Sequence, residues 1–343
     1  MRNRVRRLVV VGSILGELRV HVPNQPEPGG SVRAERNVAQ AGGCFRTVAT
    51  ARRLGLPAVL VGRVGEDPTG KLMQAALKRE NIDIAVPATA GEHGYTVVAI
   101  DCEGVASSIE IAGVEATLTR EEIDHVLIEP GDAVLVLGSD LVSEQTGAAI
   151  CEWIRDGGPG EATLVFAPGR LMSDIPDAVF DMVLRRTDIL TTDRTEFALL
   201  TGVTEAQDRP DAAMRLLETL APSAVLLGRV AGEGCWLVTA EGGTWFASPS
   251  SPSSPTDCGA TQECRLSAHL GIFLAELARL DDPLQAARIA TIGWTQVPGP
   301  QRPWVTSIGP DRAQLEQLVA AADAAQDALP SSTAVTDRPS GRP

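Results

Sequence analysis

Two acids three residues apart, Asp193 and Glu196, have the spacing to share a hydrated divalent cation such as Mg2+. The same spacing suits acids at a helix N-terminus, where the dipole favours negative charge, so the pair reads either as metal ligands or as a helix-starting charge pair. A second gathering of reactive types lies at Asp257–His269, with the thiols Cys258 and Cys264, the acids Asp257 and Glu263, and the His269 imidazole around Ser267. No His–Cys spacing there supports a thiolate nucleophile. Glu263, Asp257 or His269 offers a proton acceptor. The Ser267 hydroxyl is no base near neutral pH, and its residue type suits a helix N-cap. Gly42-Gly43 makes a tight turn into a helical stretch that carries Arg46. A donor-only guanidinium at Arg46 either meets a carboxylate or phosphate of a ligand, or reaches solvent or an internal acid such as Glu17.

Apolar β-branched runs at Leu8–Val11, Ala58–Val61, Ala133–Leu137, Thr163–Phe166 and Ala224–Leu227 alternate with helical periods. The clearest helices are predicted over Val48–Leu54, Leu72–Glu80, Glu144–Arg155, Asp211–Leu220 and His269–Leu280. Strand–helix–strand at this spacing predicts right-handed crossovers and a mostly parallel sheet, with ligands beyond the carboxyl ends of its strands. Two segments break the alternation: Glu17–Val38, rich in Pro and Gly, and Tyr95–Ile111, with strand alternation about a turn at Glu103-Gly104. Together they predict a small antiparallel lid. Residues 329–343 lack apolar period and are expected to be a disordered tail, leaving one domain over 1–328.

The 343 residues carry 44 acids against 30 Lys and Arg, a net charge of −14, which disfavours nucleic-acid and membrane-surface roles. No run is apolar enough to span a bilayer. The arginine-flanked start reads as a first strand rather than a signal peptide. Six scattered cysteines without a CxxC pair suggest reduced cytoplasmic thiols, with neither disulfides nor a zinc site.

Val11–Ile14, Val22–Gly30, Ala41–Phe45 running into Ala49–Gly55, Val61–Gly70, Asp188–Glu196 with Leu199–Gly202, Arg229–Trp236, and Ala268–Ala278 with Asp282–Arg288 stand in one order. Together they resemble the ribokinase (PfkB-type) carbohydrate kinases over about residues 8–325. The resemblance implies a ribokinase-like α/β/α sandwich with a small β lid, and transfer of the γ-phosphoryl of ATP to a small-molecule hydroxyl with Mg2+. It places Glu17, Gly42, Gly43 and Arg46 at the substrate, Arg229 and Gly234 at the nucleotide, and Asp193 and Glu196 at the metal.

Several positions depart from the family. Counted back from Ala268, its Gly-Ala-Gly-Asp loop aligns with Cys264-Arg265-Leu266-Ser267, so Ser267 stands where the catalytic Asp is missing; a register using Gly259-Ala260 puts Gln262 there and an intermediate one Glu263, a possible substitute base. Leu15 and Arg46 replace two Asn, Glu17 replaces Asp, and Ala231 replaces Gly. Trp294, where an adenine contact would fall, either stacks on a ligand or belongs to the core. The expectation is a protein that binds a small metabolite, with an anionic ligand favoured if Arg46 reaches it, and with standard phosphoryl transfer lost or repurposed. The alternative is an active ATP- and Mg-dependent carbohydrate or nucleoside kinase with a substitute base. Pairing of lid strands across a two-fold axis would make a homodimer.

Overall fold

The computed structural model describes residues 4–205, 209–230, 232–249, 259–296 and 308–327. In chain order the first elements are β1 (Arg7–Val11), β2 (Gly16–His21), β3 (Arg36–Ala41), α1 (Phe45–Arg53), β4 (Ala58–Val61), α2 (Pro68–Arg79) and β5 (Asp83–Ile84). There follow β6 (Tyr95–Ile100), β7 (Ala106–Ile111), α3 (Arg120–Asp124), β8 (Asp132–Leu137), α4 (Gly138–Val142), α5 (Glu144–Arg155) and β9 (Thr163–Ala167). Next come α6 (Asp177–Arg186), β10 (Ile189–Asp193), α7 (Arg194–Thr201), α8 (Arg209–Leu217), β11 (Val225–Val230), β12 (Gly234–Thr239) and β13 (Gly242–Ala247). The chain closes with α9 (Gly259–Leu280), α10 (Pro283–Gly293) and α11 (Arg312–Asp327).

Nine strands form the main sheet in the order β13-β12-β11-β10-β9-β8-β1-β4-β5, parallel except where β12 pairs antiparallel with β11 and β13. Alternation along each strand feeds two cores. Leu8 and Val10 of β1 pack with α1, α2, α9 and α10, whereas Val9 and Val11 pack with α3, α5, α6 and α8 on the other face. This is the α/β/α sandwich expected, and each buried Val, Leu or Ile contributes about 1.5–3 kcal/mol. At the start of α2, the Asp67 carboxylate caps the amides of Thr69 and Gly70, with Pro68 pre-set for the first turn.

The lid is a separate sheet, β3-β2-β6-β7. It is not antiparallel throughout: β2 pairs with β6 in parallel, Gly16 opposite Tyr95 through His21 opposite Ile100. Both strands leave the body in the same direction, which gives the parallel pair. Gly16, Gly42, Gly94 and Gly113 mark the four crossings between body and lid, and a Cβ at any of them would lie within 2.8 Å of a neighbour. One carboxylate ties the second pair together: Glu115 accepts the Gly94 and Gly113 amides, each at 2.7 Å. Buried His93 stands beside it, its backbone amide donated to Asp67 and its Nδ1 accepting from the Gly65 amide at 3.3 Å. The expected tail, 329–343, lies outside the described residues.

Candidate ligand cleft

Between lid and body, at the carboxyl ends of β1, β8, β9, β10 and β11, lies a cleft of about 590 Å3. Of the residues singled out in the sequence, Glu17, Gly43, Asp193, Glu196, Arg229 and Ser267 line it. Gly42, Arg46 and Gly234 do not; Glu263 falls on α9, and its side chain lies outside what is described.

At the lid end, the β2 pattern Gly-Glu-Leu-Arg-Val-His buries two charges on the same side of the strand. Glu17 receives Arg19 at 2.6 Å and the Gln40 amide from β3. Burial alone would raise the Glu17 carboxyl; Arg19 above all, with Arg46 and Gln40, outweighs it and holds the group below 4.5. Arg46 is only 2% exposed on α1, so of its alternatives the structure favours the internal acid over solvent or a ligand. Gly42 is needed because a Cβ there would lie 2.8 Å from that of Glu17, while Gly43 turns the chain with φ +58°. Behind them Asp140 accepts from the Ser13 amide at 3.0 Å and hydroxyl at 2.6 Å. Burial pushes its carboxyl up to about 7.

At the far end, Asp193 closes β10 and caps α7: it accepts the Glu196 amide at 2.7 Å while Glu196 accepts the Asp193 amide at 2.7 Å. Burial, then the Asp193 charge, pushes the Glu196 carboxyl up to about 7, against the pull of Arg229 and Arg170. Arg229 neighbours Asp193 across the β10–β11 ladder and donates to the Leu266 carbonyl at 2.5 Å, while its Nε is buried without a partner among the described residues. Each acid has an oxygen occupied by the other's backbone. Among the described residues no group of three or more His, Cys, Asp or Glu stands together as a metal site.

α9 departs most from expectation. It begins at Gly259, so Ser267 lies about two turns inside the helix rather than at its N-cap. The polar segment before His269 carries no apolar period, which is why the sequence starts the helix too late. Cys264 and Ala268 are fully buried, and the Ser267 carbonyl receives the Thr47 hydroxyl at 2.9 Å. The amides of residues 264–267 belong to the helix's own ladder, so they offer no nest for a transferring phosphoryl. These positions do not fit the phosphoryl end of ATP. His269 is fully buried, its ring centroid 4.8 Å from that of Trp294, and its Nε2 reaches the Thr291 hydroxyl. Burial, aided by Arg229, holds His269 well below 6.5, so it is a neutral packing histidine. Trp294, 1% exposed, belongs to the core.

Sequence reasoning missed Arg19, Gln40, Asp140, Glu110 and the His93–Glu115 hinge. The mirrored His93-Gly94 and Gly113-Val114-Glu115, flanking one hairpin, were the available signal for the last.

The model of the pfkB family carbohydrate kinases matches residues 5–258 and so ends one residue before α9. A ribokinase of Arabidopsis thaliana is 26% identical over 227 residues, covering 64% of this chain and 58% of the relative. An ATP-dependent ribose-1-phosphate kinase of Halopiger xanaduensis is 28% identical over 201 residues, 57% of this chain and 64% of the relative. The chain thus spans about 58–65% of the length of the first curated relatives it matches. The crystal structure of a Thermotoga maritima ribokinase superposes with a TM-score of 0.71 at 18% identity, covering 93% of this chain and all of that one. Arabidopsis thaliana ribokinase complexed with ribose and ATP gives 0.67 at 20% identity over 92% and 99%.

Proposed function

The chain belongs to the pfkB family of carbohydrate kinases, and from that membership we propose a small-metabolite-binding protein in which standard ATP-dependent phosphoryl transfer is lost or replaced. One observation carries the reading: α9 runs unbroken through 264–267, where the family places its glycines and its aspartate. Losing a general base alone costs about 10²–10⁴-fold, and a helix interior also removes the free amides that steady a migrating phosphoryl. The anionic character expected of the ligand moves from Arg46 to the far end, where Arg170, Arg194 and Arg229 line the cleft. Arg229, whose buried Nε has no partner among the described residues, is the cation poised for a carboxylate or phosphate.

The second reading, an ATP- and Mg-dependent carbohydrate or nucleoside kinase using Glu263, is favoured by Asp193 and Glu196 lining the same end. Exposed Ile109 and Tyr95 on the lid support the proposal of a homodimer built on that sheet. The free thiols among the described residues accord with a reducing, cytoplasmic setting.

The test is thermal unfolding with and without millimolar Mg-ATP, followed by a mass-spectrometric screen for phosphorylated products. Saturation a hundredfold above Kd would add about 2.7 kcal/mol; we expect no shift and no product. We also expect Ser267→Asp to gain no transfer activity, because the new carboxylate would sit on a closed helix. Turnover by the unmodified protein overturns the reading in favour of the kinase.

A further inference from the structure

A histidine stands at the crossing where the chain enters β6. His93 immediately precedes Gly94, and its side chain has no exposed surface. Gly65, buried in the loop between β4 and α2, donates its backbone N–H to His93 Nδ1 at 3.3 Å. A backbone amide can only donate, so Nδ1 carries no proton, and the neutral ring holds its hydrogen on Nε2, toward the Ile14 carbonyl between β1 and β2. The Gly65 carbonyl is taken by the Gln74 side chain of α2 at 2.9 Å. That helix also touches the lid, for a Cβ on Gly16 would lie 2.8 Å from Thr69. Two carboxylates face the ring: Glu115, whose Oε2 lies 3.7 Å from Nδ1, and Asp67, which caps α2 and accepts the His93 amide at 3.1 Å. Glu92 adjoins His93 in sequence, and Asp140 and Glu110 stand within electrostatic reach of Glu115.

We infer that His93 is a proton-operated latch on the lid: neutral, it ties the crossing at Gly94 to the β4–α2 loop, and protonated, it lets that loop go. A proton can add only at Nδ1, the atom that Gly65 already uses. The new N–H would face another N–H, and Glu115 is the acceptor beside it. The ring thus exchanges a body contact for the carboxylate that already gathers the Gly94 and Gly113 amides. Gly65 is left with a buried amide and no acceptor, a costly state that opening relieves. Burial outweighs Glu115 and Asp67 and holds the His93 imidazole of the closed lid below 6.5. Closure therefore excludes the proton: it is fully supported above 6.5 and loses support as pH falls. The latch acts on the lid whatever ligand the cleft takes.

Hydrogen exchange of the full chain at pH 7.5 and pH 5, corrected for the intrinsic pH dependence of amide exchange, tests the latch. Asp140 and Glu110, whose carboxyls are raised, gain support in acid, so the comparison is with His93→Asn. Its amide oxygen can take the place of Nδ1 for Gly65 and does not titrate. Relative to that variant, we expect protection of β6 and β7 to fall by up to about thirtyfold at pH 5, about tenfold for each unit below 6.5. The main sheet should change by less than about threefold. An equal response of lid protection in the two proteins overturns the role of His93. A fall shared equally by lid and main sheet overturns the latch. The 15N shifts of the unmodified protein decide independently, even where the variant does not fold. We expect a proton on Nε2 alone at pH 7.5 and a second on Nδ1 in acid; an Nδ1–H tautomer at pH 7.5 overturns the assignment.

Discussion

The two ends of the cleft treat buried charge in opposite ways. At the lid end Glu17 is compensated by Arg19, Arg46 and Gln40, so its ionised form is favoured. At the far end Glu196 shares its space with Asp193, and its ionised form is disfavoured despite Arg229. The first arrangement surrounds a buried acid with cationic and amide partners; the second sets two acids side by side, so that burial and the neighbouring charge favour the protonated form of Glu196.

The largest effect expected of breaking this comparison comes from Glu17→Ala, which strands Arg19 and Arg46 without their acid. Urea unfolding should show a loss of about 3–5 kcal/mol; a loss under 1 kcal/mol would mean that the network is not balanced as described.

Next is a pH profile of stability. Because the folded Asp140 and Glu196 carboxyls are raised to about 7 from 3.8 and 4.5, the folded state holds more protons in between. Their contribution is therefore full at the acid side, falls as pH rises, and levels above 7. Asp140→Asn should remove its share, on the order of 4 kcal/mol between pH 4 and 7. Glu17 runs the other way: lowered below 4.5, it adds stability that is lost as pH falls through that range. A slope unchanged by Asp140→Asn would place the proton elsewhere.

The smallest effect sharpens the picture of the lid. Glu115→Gln exchanges an acceptor for a donor facing a backbone N–H, at a cost of about 1–3 kcal/mol. Hydrogen exchange should quicken along β6 and β7 while the main sheet stays protected; uniform quickening would show that the hinge is part of the global core.

Most of the fold was legible because strands such as Leu8–Val11 and Thr163–Phe166 are buried on both faces and announce themselves as continuous apolar runs. The lid segments were legible from their interrupted alternation, but not their parallel pairing, which depends on where the chain re-enters after α2 and β5. The site was legible in part. Asp193 and Glu196, placed at a metal by the family resemblance, line the cleft, and their spacing serves the capping box they form. For Arg46 both readings stayed open in the sequence, because whether a cation meets ligand or acid depends on Arg19 and Gln40, brought in from two strands. Ser267 was misplaced because helix α9 extends into a polar stretch whose periodicity gives no sign of it.

The four glycines where the chain passes between body and lid have one further consequence. None has a positive φ; each is there for space, since a methyl group at any of them would press on a side chain or backbone atom. Because β2 and β6 also emerge side by side, the lid cannot peel away as a hairpin does from one end. Body and lid meet along a seam of bare backbone, and a single alanine at any of the four positions is expected to push the two sheets apart there.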